Sequence, residues 1–430
     1  MYGPDDSRPQ FAKRIAATGV ARFLVAFGGL LWTLTASRLL GSVFVGEFYI
    51  AFVIVLGCHV LARAGAELAL VRSVGRTEDT QERAVLLWRA LRRTVIVSAI
   101  LTSAVHLSRT WLTEVFGAQS LGELLDGMAL AILPVAVSAV LASFLRGQAR
   151  PATAAFFDVG SVLAGSSIWL VIVDSAGLFV GPREAGGVFF LSACIVTAVG
   201  LWICWNSILD GMKNRLVHPG SSRADSVGTL LTYIVTEGVS YAQIIGATLI
   251  AGASLSSRDL GFLKVGERVA GILGFPQMVV NTVIAPNLAR QCVDRDLAVL
   301  RTWIRRSLLF SVGAALPLYI CLLLYLDDVL VLFGKEFIAS AQILIILAGA
   351  QMINVACGPG LLVLNMSGRP EVARNIVTAS SALGLGLMPF LISMWDRQGA
   401  ALAIGGMMAL QNLAAMAVVG SRLWLGARRS

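Results

Sequence analysis

Long apolar runs constrain this chain more than any other feature of its sequence. A helix rises 1.5 Å per residue, so about 20 apolar residues cross roughly 30 Å of hydrocarbon. Twelve runs of about this length or more can be marked: 15–37, 46–69, 93–112, 127–146, 153–173, 187–208, 227–252, 260–285, 307–331, 338–365, 373–395 and 399–422. Charged residues make up only 14% of the chain, far less than in a soluble protein of this size. The sequence therefore predicts an all-α polytopic membrane protein with about twelve transmembrane helices.

Positive charges between the runs predict how the chain crosses the membrane. Most of the 34 Lys and Arg lie in alternate connections and at the two termini. The remaining connections carry one basic residue each: Arg38, Arg109, Arg183, Arg258, Lys335 and Arg397. Cytoplasmic loops of membrane proteins carry the excess of basic residues, so both termini are predicted to be cytoplasmic. Basic residues scattered in this way do not form the single basic face of a nucleic-acid-binding protein.

An internal repeat divides the sequence into two halves. A shift of 215 residues aligns three positions: Thr33 with Thr248, Gly46 with Gly261, and Arg22 with Glu237. A second similarity, at an offset of 219, aligns 145–151 with 364–370. Repeats at about half the chain length are typical of transporters built from two related bundles. We therefore predict two pseudo-symmetric six-helix bundles, 1–215 and 216–430, with a cleft between them.

Charged residues inside the predicted spans mark a candidate site, because each costs at least a few kcal/mol in hydrocarbon. Arg22, Arg63, Asp158 and Glu237 all lie roughly 12 Å below the cytoplasmic surface, at 1.5 Å per residue. Glu67 follows Arg63 by four residues. In one interpretation the two arginines line a cavity and bind a diphosphate, whose oxygens suit planar guanidinium donors, while the carboxylates balance them or carry a proton. In the other, the arginines extend to the interface, and Arg63 simply pairs with Glu67.

Three further hypotheses concern charges and titratable groups in the spans. Because Arg22 and Glu237 occupy equivalent positions of the repeat, they could approach and separate as a gate. Lys264, Glu267 and Arg268 share one helix face, which predicts either a cluster facing a cavity or an internal ion pair.

A histidine in the second span, His59, could carry a proton, although lone histidines in spans are usually hydrogen-bonded packing residues.

Catalytic and cofactor motifs are missing from the sequence. It has no GxxxxGK[ST] phosphate loop, no HExxH and no GxSxG, and none of its six cysteines has CxxC spacing. The longest connection on the outer side, 174–186, is too short for a catalytic domain. We therefore expect a protein that is not an enzyme, with no catalytic residues, no metal and no cofactor.

Four segments resemble those of a known family of exporters. They are RLLGSVFVGEF at 38–48, the end of the second span at 65–72, FGKEFIASA at 333–341 and GRP at 368–370. These segments resemble polysaccharide flippases of the O-antigen and teichoic-acid type, within the multidrug/oligosaccharidyl-lipid/polysaccharide exporter superfamily. The resemblance implies a V-shaped pair of six-helix bundles.

By the same resemblance, the chain would move a polyprenyl-diphosphate-linked oligosaccharide from the inner to the outer leaflet of a bacterial cytoplasmic membrane by alternating access. Its partners would be the lipid-linked saccharide, membrane lipids and polysaccharide assembly machinery. Two alternatives stay open. A cation-coupled multidrug antiporter has the same fold, whereas a membrane-embedded polysaccharide polymerase or ligase would need a long outer loop with catalytic carboxylates or arginines, which the sequence lacks.

Overall fold

The chain forms an all-α protein, as predicted. The computed structural model describes residues 8–63, 65–178, 181–214, 227–282, 284, 297–367 and 369–426. Every regular element in these ranges is a helix. The chain divides into two compact units, Met1–Leu249 and Ile250–Ser430. The boundary predicted from the repeat, between residues 215 and 216, stays a prediction.

Among the described residues of the first unit, nine helices begin. They are α1 (Arg8–Arg63), α2 (Ala66–Arg76), α3 (Thr80–Phe116), α4 (Leu121–Met128), α5 (Ile132–Gly147), α6 (Pro151–Ala155), α7 (Val159–Ser175), α8 (Pro182–Asn214) and α9 (Val227–Ser254). Buried apolar residues of α2, α3, α5 and α8 form one hydrophobic cluster, which includes Leu70, Leu87, Phe144 and Ile208. This cluster fixes α2 against α5, and the candidate site lies beside these two helices.

The second unit continues with α10 (Ser257–Gly271), a 3-10 turn (Ile272–Gly274) and α11 (275–282). The described elements that follow are α12 (Leu297–Leu324), α13 (Leu326–Val331), a 3-10 segment (Lys335–Ser340), α14 (Ala341–Cys357), α15 (Gly360–Met366) and α16 (Pro370–Gly426). A hydrophobic cluster joins residues of α11, α12, α15 and α16.

Helix α1 contains the first two predicted spans, 15–37 and 46–69, and is broken in the interval between them. Its helical dihedral angles are interrupted at one residue, Gly41, with φ 80° and ψ −179°. This is a conformation that glycine adopts without a steric penalty. The second span was predicted to reach residue 69, but α1 ends at Arg63 and Gly65 adopts φ 74° before α2 begins. Gly41 thus breaks the helix between the two predicted spans, and Gly65 adds a break inside the second one.

The backbone breaks recur at the offsets of the sequence repeat. Ser256, the N-cap of α10, lies 215 residues after the break at Gly41. Gly177, just past α7, has φ 70°, and Asp396, where α16 is interrupted, has φ 51°. These two residues are separated by 219 positions, the second offset of the repeat. Both pairs of equivalent sequence positions therefore lie at helix ends or interruptions, although Gly41 and Ser256 differ in their dihedral angles.

The helices are long and apolar enough for a multi-pass membrane protein. Within the described residues, five stretches could each cross a membrane, and a sixth could if α4 and α5, which meet at 47°, form one broken span. The stretches 19–63 and 370–421 contain 45 and 52 residues, more than twice the roughly 20 that one crossing needs. The predicted multi-pass character is confirmed, whereas the count of twelve spans stays a prediction.

Candidate functional site

A polar cavity lies within the first unit. It has a volume of about 200 Å³ and lies among α1, α2, α5, α7 and α9. Its polar lining residues are His59, Arg63, Glu67, Arg146, Asp158 and Tyr241. The structure thus brings together three of the predicted site residues, Arg63, Glu67 and Asp158. Apolar side chains form the rest of the wall, and among the charged residues only Arg63 is almost completely buried.

Two helix ends place Arg63 opposite Glu67. Arg63 is the last residue of α1, and Glu67 lies in the first turn of α2. Between them, Gly65 has φ 74° and redirects the chain. The Arg63 side chain is only 2% exposed and forms an ion pair with Glu67. The predicted pairing is therefore confirmed, but it joins two helices instead of successive turns of one.

A second arginine completes this cluster. Arg146, in the last turn of α5, donates a hydrogen bond to Oε1 of Glu67, while Arg63 contacts Oε2. Close packing of α2 on α5 makes this possible, since a Cβ atom at Gly147 would lie 2.8 Å from Cβ of Val74. Glu67 therefore bridges two guanidinium groups from different helices. Such a carboxylate keeps two like charges together that would otherwise repel each other.

Arg63 retains donor capacity that this bridge does not use. Its Nε and Nη2 atoms are buried and have no hydrogen-bond partner among the described residues. The guanidinium carbon lies 5.8 Å from the centroid of the Tyr241 ring, a cation–π contact. Leaving buried donors unsatisfied costs about 1–3 kcal/mol or more for a charged group. An anionic ligand in the cavity could accept these hydrogen bonds.

Two other lining residues have local roles. The Nδ1 atom of His59 lies 2.8 Å from the carbonyl oxygen of Leu56, and the ring meets that of Tyr241 edge-on at 6.4 Å. These contacts fit a packing histidine. Asp158 is exposed and caps α7, because its carboxylate accepts a hydrogen bond of 3.1 Å from the Val159 N–H.

The second unit contains the other predicted cluster. On α10, Nζ of Lys264 lies 2.8 Å from Oε2 of Glu267, and the Lys264 side chain is only 6% exposed. This contact confirms the predicted pairing. Arg268 follows on the same helix and is partly buried. A substrate-binding role for the three residues stays a prediction.

Two predicted site residues lie outside the described side chains. The side chains of Arg22 and Glu237 are among those that the structure leaves undescribed, so the gate between them stays a prediction. In the described part of the chain, no three His, Cys, Asp or Glu side chains are grouped so that they could hold a metal ion.

Sequence reasoning missed two residues of the cavity. Arg146 was counted only among the basic residues that predict the orientation of the spans, and Tyr241 was not considered. The sequence could have indicated Tyr241, because this residue follows the predicted site residue Glu237 by four positions and so lies on the same helix face. For Arg146 no local signal exists, since its partner Glu67 belongs to another part of the sequence.

The chain matches a known family over most of its length. Residues 36–342 fit the family described as polysaccharide biosynthesis protein. The chain belongs to this family. All the polar residues that line the cavity fall inside the matched range. A curated relative in Haloferax volcanii, the probable low-salt glycan biosynthesis flippase Agl15, is 25% identical over 316 residues. That match covers 71% of this chain but only 64% of the relative, less than two thirds of its length.

Solved structures show the same fold. The lipid II flippase MurJ, in an inward closed conformation, superposes with a TM-score of 0.75 at 14% identity over 94% of this chain and 87% of its own. An inward-facing multidrug resistance transporter of the MATE family gives a TM-score of 0.69 at 14% identity, covering 96% of both chains. The superfamily fold predicted from the sequence is confirmed for this member of the polysaccharide biosynthesis family.

Proposed function

We propose that this protein is a flippase that moves a polyprenyl-diphosphate-linked oligosaccharide from the inner to the outer leaflet of a membrane by alternating access. Membership of the polysaccharide biosynthesis family and similarity to a glycan biosynthesis flippase support this proposal. The observation that carries it is Arg63, a buried cation with two donors that have no partner among the described residues. These donors line a cavity that also contains Arg146.

The chemistry of the cavity suits a diphosphate. Guanidinium groups hold phosphate oxygens in pairs through planar donors and stay charged at any relevant pH. A diphosphate loses much of its hydration on entering a membrane, and the buried Arg63 together with the half-buried Arg146 would compensate for this loss. At about 200 Å³ the cavity is smaller than a site of 300–1,000 Å³ for a drug-sized ligand. It therefore suits the charged head of the lipid better than the whole saccharide.

The alternatives fit the site less well. An organic cation, the cargo of a multidrug antiporter, cannot accept hydrogen bonds from the Arg63 donors that lack a partner among the described residues. A polymerase or ligase would need catalytic groups on a long outer loop, and the sequence has no such loop. We therefore propose transport without a catalytic step, a metal or a cofactor.

The remaining predictions complete this proposal. The protein would lie in a bacterial cytoplasmic membrane with both termini in the cytoplasm, as two six-helix bundles, 1–215 and 216–430, beside membrane lipids and polysaccharide assembly machinery. The alternating charge of the connections and the repeat support this arrangement. In the second unit, Lys264 and Arg268 would contact the substrate, balanced by Glu267. Arg22 and Glu237 would form a gate.

Transbilayer movement of a fluorescent polyprenyl-diphosphate oligosaccharide in proteoliposomes tests the proposed function. We expect movement with the wild type and at least a tenfold lower rate for Arg63→Gln. Arg109→Gln is the matched control, because Arg109 also pairs with a carboxylate, that of Asp126, outside the cavity. The control should keep the wild-type rate.

Other outcomes would reject the proposal. If the wild type moves no lipid-linked saccharide but takes up an organic cation, the multidrug antiporter becomes the better assignment. If Arg63→Gln flips at the wild-type rate while folding normally, the cavity is not the diphosphate site.

A further inference from the structure

Glu67 occupies the place where the cavity can best hold an anion. One of its carboxylate oxygens contacts Arg63 and the other contacts Arg146, so both oxygens are used. Carboxylates and phosphates accept the same paired hydrogen bonds from guanidinium groups. The contacts that would bind a phosphate group are therefore already made by a side chain of the protein.

We propose that Glu67 is an exchangeable internal ligand, which holds Arg63 and Arg146 until the substrate's diphosphate displaces it. This inference rests on the proposed function and adds a role that family membership does not assign. Charge favours the exchange, because a diphosphate carries more negative charge than one carboxylate and interacts more strongly with two guanidinium groups. The donors of Arg63 that lack a partner in the described residues would gain one at the same time.

The exchange needs only a side-chain movement. The backbone of α2 is held against α5 by Leu70 and Val74, which belong to the hydrophobic cluster of the first unit. The Glu67 side chain is 19% exposed, so it can turn away from the arginines. It would remain at the N-terminal turn of α2, where the helix dipole favours a negative charge.

As an internal competitor of the diphosphate, Glu67 would make release of the substrate easier and lower the affinity for it. While a diphosphate is bound, the carboxylate of Glu67 stays close enough to reclaim the two arginines. Without it, the substrate would bind more tightly and leave more slowly. This predicts that neutralising Glu67 separates binding from transport, whereas a purely structural ion pair would lose both together.

Calorimetric binding of farnesyl diphosphate to the purified full chain in detergent tests this inference. We expect Glu67→Gln to bind about tenfold more tightly than the wild type, a difference of about 1.4 kcal/mol. Asp126→Asn is the matched control, since it removes the charge of a carboxylate paired with Arg109 outside the cavity, and its affinity should not change. At saturating polyprenyl-diphosphate oligosaccharide, Glu67→Gln should also flip several times more slowly.

Each result separates this inference from the proposed function. Equal or weaker binding by a folded Glu67→Gln protein overturns the exchange but keeps the diphosphate site. No binding by either the wild type or the variant overturns both. If Glu67→Gln fails to fold, Glu67→Asp replaces it: the shorter side chain cannot span both arginines and should also tighten binding, and unchanged or weaker binding by this variant rejects the exchange.

Discussion

The guanidinium carbon of Arg63 lies 5.8 Å from the centroid of the Tyr241 ring, although the two residues belong to helices far apart in the sequence. The ring face supplies a partly negative surface to a cation that is almost completely buried. Tyr241 therefore supports the charge of Arg63 beside its ion pair with Glu67, and the Nε and Nη2 donors that lack a partner among the described residues could bind an anionic ligand.

Replacing the Tyr241 ring should destabilise the first unit. We expect Tyr241→Leu to lower the free energy of unfolding by about 1–2 kcal/mol relative to Tyr241→Phe, because only phenylalanine keeps the cation–π contact. Denaturant titration of the purified protein in detergent measures this difference. Equal stability of the two variants would show that the contact with Arg63 contributes nothing.

The effects on stability of changing Lys264 and Glu267, which form the ion pair on α10, should be strongly coupled. We expect Glu267→Gln to lower the free energy of unfolding by about 1–3 kcal/mol, since it deprives the buried ammonium of Lys264 of this partner. The double variant Lys264→Met/Glu267→Gln should cost less than the sum of the single changes, because it removes both charges. A double-mutant cycle on unfolding free energies checks the coupling. Additive costs would contradict it.

Replacing Ala149 by glycine should stabilise the folded protein. It has φ 59°, a left-handed conformation in which a Cβ atom costs roughly 1–2 kcal/mol, and the repeat aligns it with Gly368. We therefore expect Ala149→Gly to raise the free energy of unfolding by up to about 1 kcal/mol. Ala90→Gly, inside α3, is the control and should lower the free energy by about 1 kcal/mol. A loss of stability in Ala149→Gly would disprove the prediction.

Gly147 should be required for the cavity. An added Cβ would lie 2.8 Å from Cβ of Val74, so Gly147→Ala must push α2 away from α5 and weaken the bridge between Glu67 and Arg146. We expect a lower unfolding midpoint and slower flipping. Gly386→Ala, where no atom lies within 4 Å of the added Cβ, should be tolerated. If the two variants have the same unfolding midpoint and the same flipping rate, α2 can move to accommodate the added Cβ, and the prediction is wrong.

Apolar run lengths predicted most helices and two of their breaks, but not the break at Gly65. The predicted runs 187–208 and 227–252 correspond closely to α8 and α9. The breaks at Gly41 and Asp396 lie in the gaps between predicted runs, at 38–45 and 396–398, whereas the break at Gly65 lies inside the predicted run 46–69. Because many glycines in this chain are helical, a glycine alone does not reveal which one adopts a positive φ. Packing of the surrounding helices selects it.

Part of the site was predictable because it depends on local spacing. Arg63 and Glu67 are four residues apart, as are Lys264 and Arg268, with Glu267 between the latter pair. Spacing of this kind indicates contact along one helix. It accounts for Lys264 and Glu267 on α10, whereas Arg63 and Glu67 meet across the break at Gly65. The contacts of Glu67 with Arg146 and of Arg63 with Tyr241 join distant segments, and no periodicity reports them.

The sequence by itself determined the class of this protein, its multi-pass character and the repeat that relates its halves. These properties follow from run length, charge distribution and self-similarity, which are local or periodic features. Only the tertiary structure decided which intramembrane charges meet. Two arginines converge on Glu67 because α2 approaches α5 closely at Gly147 and the chain turns at Gly65, and both depend on how distant segments pack.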